Sequence, residues 1–172
     1  MLKLEKPSLA EYAPFYQSYI DKVEGDAFTF LEKQMLRFID FCSKIPEEKT
    51  EYRYEEGKWS IKELVGHCID TERVMAYRLL RISRKDYTPL AGFDENDYVA
   101  NAHFDDREWP TLLLDLHHLR ASTLQLISNL RAEQLSNTGM ANNYAISVRA
   151  LIYIIAGHLE HHFNILTSRY VK

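Results

Sequence analysis

The sequence is poor in the residues that cross-link or interrupt a chain. Its 172 residues include 2 cysteines, 5 prolines and 6 glycines. Cys42 and Cys68 cannot supply the disulfide framework of a small secreted domain, so we expect a reduced, cytoplasmic setting. No apolar run approaches the roughly 20 residues that cross a bilayer. The first residues lack a long apolar core, and we expect no signal peptide.

An excess of positive charge is also lacking. The formal net charge is −4, and no basic run carries interleaved aromatic residues. Such a chain has no general attraction for nucleic acid or for an anionic membrane, and we expect neither as a partner. A content of 46% hydrophobic and 27% charged residues is typical of a globular protein. The length fits one domain, placed at residues 1–172. We expect a small molecule as its substrate.

Helical periodicity and capping signals predict an all-α fold, a four-helix bundle with short additional helices. Asp26 and Ser147 are candidate N-caps, Ser60 and Glu63 form a capping box, and Pro110 suits the first turn of a helix. No run of alternating strands and no internal repeat is present. Long helices are predicted at 26–45, 59–84, 110–130 and 148–170, short ones at 9–23 and 94–102, and a loop or small extended segment at 136–146.

Three of the 7 histidines lie close together in the segment GHLEHHFNIL, residues 157–166. Successive residues of a helix are about 100° apart around its axis. From Val148 in the apolar stripe, His162 falls at about 40° and His158 at about 80° on the same side, whereas His161 falls at about 140°. His158 and His162 therefore share the inward face one turn apart, a spacing that offers two imidazoles to one metal ion. We expect His161 to face solvent or an interface.

A third ligand has to come from another helix, and His67 is the best candidate because it lies at the edge of an apolar stripe. His103 falls in a predicted loop, and of the adjacent His117 and His118 at most one can face inward. A lone buried histidine is usually a hydrogen-bonded core residue. Burying the pair His158 and His162 without partners is costly, which favours a metal site. A structural role for these histidines stays open beside it. Cys68 is interpreted as a small core residue.

The spacing of the histidines and glutamates excludes two familiar kinds of metal site. In the zincin motif HExxH a glutamate follows the first histidine directly, but in HLEHH Glu160 stands at the second place and faces away. A ferritin-like di-iron centre needs paired ExxH motifs, and the sequence contains no such pair. A mononuclear site is what remains.

Two segments together resemble the DinB-like family of bacterial proteins. WSIKELVGHCIDTERVMAYRLL, residues 59–80, resembles the family element W-S-x-x-E-x-x-x-H, and VRALIYIIAGHLEHHFNIL, residues 148–166, resembles its element G-H-x-x-H-H. PLAGFDENDYVANAHF between them resembles the connecting segment of one subgroup. The resemblance implies a four-helix bundle that often forms homodimers. It also implies one divalent metal ion, zinc or nickel, on the ligands His67, His158 and His162.

The resemblance leaves three functions open. Relatives include transferases that use low-molecular-weight thiols such as bacillithiol, and thiol-dependent isomerases, so the first hypothesis is a metal-dependent thiol S-transferase. The second is a hydrolase in which the metal activates water, with Glu63 or Asp70 as a candidate base. These carboxylates and Thr71 are alternatively partners that orient an imidazole. The third is a non-enzymatic, metal-stabilised binding or stress-response protein.

Overall fold

The computed structural model describes residues 4–171 and contains the four long helices that the sequence predicts. Residues 1–3 and 172 of the predicted domain lie outside the described part. Short 3-10 turns and one π-helical turn connect or extend these helices. The helices are α1 (Gln17–Ile20), α2 (Ala27–Cys42), α3 (Ile61–Ser83), α4 (Glu95–Ala102), α5 (Trp109–Ser128) and α6 (Val148–Ile165), and the turns are Leu9–Glu11, Pro14–Tyr16, Glu47–Lys49, Phe104–Asp106, Ala132–Ser136 and, after α6, Leu166–Tyr170.

The predicted caps begin the helices that carry the histidines. The Ser60 hydroxyl accepts a hydrogen bond from the Glu63 amide at 3.0 Å, and Glu63 Oε2 accepts one from the Ser60 amide at 2.7 Å. At the start of α6 the Ser147 hydroxyl accepts a bond from the Ala150 amide at 3.0 Å. Each cap satisfies backbone donors that a helix cannot satisfy internally. The prediction of an all-α bundle is confirmed, since the long helices form it.

The prediction of one continuous helix at 9–23 is wrong. Pro14 follows Ala13, which is extended with φ −69° and ψ 142°, because a residue before proline is disfavoured in the helical region. The segment instead forms two 3-10 turns and the single turn of α1. α1 then lies against α6 beside the histidines.

The segment predicted as a loop or small extended element is a β-hairpin. Strands β1 (Thr138–Ala141) and β2 (Tyr144–Ser147) are antiparallel, with Thr138 opposite Ser147. Asn142 and Asn143 join them with φ of 51° and 65°. Two consecutive positive φ values are what a tight hairpin turn requires, and asparagine tolerates them better than most residues do.

A buried polar network joins the four long helices. Arg120 on α5 donates to both carboxylate oxygens of Glu72 on α3, at 2.9 and 2.8 Å, and to Gln34 Oε1 on α2 at 3.2 Å. Gln34 in turn donates to the carbonyl of Ala156 on α6 at 2.9 Å. Because buried polar groups need partners, these bonds fix the register of α3 against α6. None of the helices within residues 4–171 is long and apolar enough to span a membrane.

Candidate metal centre

The structure brings His67, His158 and His162 together. Their candidate ligand atoms all lie within 4.8 Å of one another, and no further histidine, cysteine, aspartate or glutamate of the described chain joins the group. The Nε2 atoms of His67 and His158 are 3.0 Å apart. The ring centroids are 4.9 Å apart for His67 and His158, 4.8 Å for His67 and His162, and 4.6 Å for His158 and His162. The group thus spans α3 and α6.

Packing against aromatic rings holds the imidazoles in place. Trp59, just before α3, lies 4.6 Å from the His67 ring between centroids. On the other side, Tyr19 of α1 contacts His158 edge to face at 5.4 Å. Gly157 permits this approach, because a Cβ at that position would lie only 2.0 Å from the Tyr19 carbonyl oxygen. The glycine of the GHLEHH segment is therefore a packing requirement.

Burial keeps the three imidazoles neutral. Burial and, to a lesser extent, the charge of His161 lower the pKa of His67 to about 4. The pKa values of His158 and His162 lie well below the usual value for histidine, again mainly because of burial and then because of neighbouring histidines. At neutral pH each ring therefore keeps a lone pair that can bind a metal ion.

These residues fit a divalent metal ion. His162 Nδ1 is buried and has no hydrogen-bond partner among the described residues. Burying a polar atom without a partner costs free energy, and a bound metal ion would remove that cost. A tetrahedral zinc ion with Zn–N distances of about 2.0–2.1 Å separates its ligand nitrogens by about 3.3 Å. The 3.0 Å between the nitrogens of His67 and His158 is close to that spacing. Imidazole suits both zinc and nickel.

A cavity opens beside the three imidazoles. We call it the aromatic cavity; it has a volume of about 280 Å³, and His67, His158 and His162 form part of its wall. Aromatic side chains from four parts of the chain form much of the rest, with Thr71, Met75 and Arg78 of α3 along one side and Glu95 of α4 on another. A volume of this size admits a small molecule. The aromatic side chains are Phe15, Tyr16, Tyr19, Trp59 and Phe93.

The structure does not bring the predicted carboxylates to the imidazoles. Glu63 accepts hydrogen bonds from the Ser60 amide and from Arg53 Nη2, the latter at 2.8 Å. Asp70 pairs at 3.3 Å with Arg73, which also pairs with Asp115 of α5 at 2.6 Å. Among the described residues, no hydrogen bond joins either carboxylate to a histidine. Each carboxylate has a different partner, and the role expected of Glu63 and Asp70 beside an imidazole stays a prediction.

Thr71 and the remaining histidines take distinct positions. Thr71 lines the aromatic cavity, and its hydroxyl is buried without a hydrogen-bond partner among residues 4–171. His161 is half-buried with its ring 5.3 Å from that of Tyr19. His103 ends α4 in the left-handed region with φ 50°. His117 and His118 on α5 are both exposed and belong to no metal-ligand group of the described residues.

Sequence reasoning did not find Tyr19, Arg78 or Glu95 as part of this site. Arg78 lies eleven residues after His67 on the same face of α3, a spacing that helical periodicity could have revealed. Tyr19 and Glu95 reach the cavity only through the packing of separate segments, for which the sequence carries no local signal.

The fold and the histidine cluster define a class of protein, a helical bundle with a candidate mononuclear metal centre between two of its helices. The sequence profile of the DinB superfamily matches residues 31–166, and the chain belongs to this family. The resemblance found in the two histidine-containing segments is therefore confirmed.

Individual relatives agree with this assignment. A protein of Oceanobacillus iheyensis named "Putative metal-dependent hydrolase" is 27% identical over 136 residues, which cover 77% of this chain and 76% of that protein. YfiT from Bacillus subtilis is described as "a probable metal-dependent hydrolase with an unusual four-helix bundle topology". Its structure matches with a TM-score of 0.74 at 18% identity, over 92% of this chain and 91% of that one.

A second solved structure is similar in fold. The mycothiol-dependent maleylpyruvate isomerase matches with a TM-score of 0.67 at 11% identity. The match covers 88% of this chain and 62% of the isomerase. At these identities the likeness concerns the fold.

Proposed function

We propose that the protein is a metal-dependent enzyme that holds one zinc or nickel ion on His67, His158 and His162 and transfers a low-molecular-weight thiol to a small electrophile. The observation that carries the proposal is the set of three buried, neutral imidazoles facing a cavity, with no fourth protein ligand among the described residues. A site closed by a fourth protein ligand is typical of structural metals, whereas three ligands leave room for substrate.

A divalent cation bound there would supply acidity, because it lowers the pKa of a thiol or of a water molecule that contacts it. The chain's own residues supply position. Trp59 packs against the ring of His67, and Tyr19 packs against the ring of His158. The aromatic walls provide apolar surface for an electrophile beside the imidazoles.

Thiol transfer is favoured over hydrolysis by the positions of the carboxylates. A hydrolase needs a general base within hydrogen-bond reach of the attacking water. Glu63 serves the cap of α3 and Arg53, and Asp70 pairs with Arg73. A thiol that gives up its proton to solvent on binding needs no such base, and neither Glu63 nor Asp70 is placed to serve as one.

Metal-dependent hydrolysis is the second candidate, and one observation favours it. Glu95 lines the aromatic cavity and is the carboxylate available there as a base for water. The names of the Oceanobacillus iheyensis relative and of YfiT support the same reaction class. The isomerase named as mycothiol-dependent supports a thiol co-substrate instead.

The first experiment measures metal content in protein purified without a nickel column. Wild type is compared with His162→Ala and with His161→Ala, the matched control one residue away and outside the ligand group. We expect about one ion per chain in wild type and in His161→Ala and little in His162→Ala. Wild type that carries no metal and cannot be loaded with zinc or nickel would overturn the proposal.

Activity then separates the candidate functions. Metal-loaded protein is incubated with cysteine, glutathione or bacillithiol and an alkyl halide or epoxide, and thiol consumption is followed. Thiol loss that depends on metal and survives in Glu95→Gln supports the transferase. Ester or amide cleavage without thiol, abolished in Glu95→Gln, supports the hydrolase. Metal binding with neither activity would indicate a non-enzymatic metal-stabilised protein.

A further inference from the structure

Arg78 is a buried cation without a carboxylate partner. It is 2% exposed, and no aspartate or glutamate within residues 4–171 forms an ion pair with it. Its Nη2 donates to the Ala91 carbonyl at 2.7 Å, its Nη1 lies 3.6 Å from the Met75 sulfur, and the Tyr16 hydroxyl is a further hydrogen-bond partner of the guanidinium. A guanidinium has five N–H donors, so these contacts leave donors available.

The other fully buried arginine of the bundle differs in this respect. Arg120 is 0% exposed and is neutralised by Glu72 through two bonds, at 2.9 and 2.8 Å. Taking a charge out of water without a counterion is expensive, and buried charges are normally paired. The protein meets that requirement at Arg120 and not at Arg78, which indicates that the counterion of Arg78 comes from outside the chain.

The position of Arg78 agrees with a ligand-binding role. It lines the aromatic cavity together with the three histidines. His67, Thr71, Met75 and Arg78 are spaced by four, four and three residues and form one stripe of α3 along the cavity wall. The Phe93 ring lies 6.0 Å from the guanidinium carbon and covers it from one side.

The spacing along α3 sets the size of the ligand. At a rise of about 1.5 Å per residue, the backbones of His67 and Arg78 are about 16 Å apart along the axis. Helical side chains lean toward the N-terminus, and the contact of Arg78 Nη1 with the Met75 sulfur one turn earlier has this direction. Because His67 leans the same way, a group bound to Arg78 lies on the order of 10–15 Å from the histidine cluster.

We propose that Arg78 binds an anionic group, a carboxylate in the first instance, of the small molecule that occupies the aromatic cavity. This inference rests on the proposed function for the identity of the reacting end but not for the anion site itself. A planar guanidinium pairs with a carboxylate through two parallel bonds, and burial strengthens such bonds. The anion would approach the unpaired donors of Arg78, while the uncharged end of the substrate lies against the aromatic walls toward the histidines.

Glu95 allows a second prediction, in which replacing a charged residue has the opposite effect on anion binding to that of replacing Arg78. Its carboxylate also lines the cavity and is exposed at the first turn of α4. A bound anion is repelled by Glu95 and attracted by Arg78. Replacing Arg78 with a neutral residue should weaken anion binding, whereas Glu95→Gln should strengthen it.

The test uses isothermal titration calorimetry on metal-free protein. Acetate, phenylacetate and 3-phenylpropionate are each compared with their own amides. We expect at least one carboxylate to bind about tenfold or more tightly than its amide, as charge-assisted bonds to a buried cation provide. Arg78→Met should abolish this preference, Arg78→Lys should retain part of it, and Glu95→Gln should increase it.

Arg81→Met is the matched control, because Arg81 lies one turn further along α3 and pairs with Asp86. It should keep the wild-type preference. The proposal is overturned if no carboxylate binds more tightly than its amide in wild type, or if the preference survives in Arg78→Met. If Arg78→Met does not fold, the wild-type preference and Glu95→Gln still decide the matter. Since metal is absent from the titration and metal loading is measured separately, failure of one proposal is distinguishable from failure of the other.

Discussion

Replacing Glu72 with glutamine should destabilise the bundle strongly. Glu72 is 4% exposed and accepts two bonds from Arg120, which is 0% exposed. The substitution keeps the shape of the side chain but leaves the guanidinium without a counterion. Removing one partner of a buried pair costs about 3–5 kcal/mol, out of a total stability of about 5–15 kcal/mol for a typical domain. For a chain of this size, the expected fall in Tm is about 6–20 °C.

Urea unfolding followed by circular dichroism measures the loss of unfolding free energy. The matched control is Asp40→Asn, which removes an exposed pair with Lys44 at 2.7 Å and should cost less than about 1 kcal/mol. A double variant, Glu72→Leu with Arg120→Met, should recover much of the loss because it leaves no unpaired charge. A cost for Glu72→Gln no larger than that of the control would refute the reasoning.

Two further predictions concern packing and pH. Gly157→Ala places a methyl group 2.0 Å from the Tyr19 carbonyl oxygen. Alanine has the better helix propensity, but we expect this clash to lower the free energy of unfolding in urea by about 1–3 kcal/mol. An increase in stability would contradict the packing of α1 against α6. Burial raises the pKa of Glu11, but bonds from Arg149, Ser8 and Ser147 outweigh burial and leave that pKa below its usual value. Glu11 therefore stabilises the fold above the unfolded pKa of about 4.3 and loses this effect as the pH falls through the lower folded value. The stability difference between wild type and Glu11→Gln should shrink on acidification, and a difference independent of pH between 7 and 3 would exclude the ion pair as its source.

Local signals predicted the long helices well. Asp26, Ser60 and Ser147 cap helices as expected, because a short polar side chain before an apolar-periodic segment has few other roles. The shared face of His158 and His162 also followed from spacing, since residues four apart on a helix share a face. These features depend on neighbours in sequence, which the sequence displays directly.

The features that the sequence did not predict depend on contacts between distant segments. Arg120 and Glu72 read as surface residues on their own helices, and only their meeting across α3 and α5 makes them a buried pair. The helix predicted around Pro14 failed at the restriction that proline places on Ala13. Arg78 likewise reads as a solvated arginine until the loop carrying Phe93 covers it.

The same turns of the bundle carry both the histidines and the polar network, on different faces of the helices. On α3, His67 and Thr71 face the aromatic cavity, whereas the neighbouring Glu72 faces Arg120. On α6, His158 faces the cavity two residues after Ala156, whose carbonyl accepts the bond from Gln34. Sliding either helix by one residue would break the buried bonds as well as separate the imidazoles. The network thus fixes the register at the turns where the three neutral imidazoles meet, so bonds outside the histidine cluster hold the cluster together.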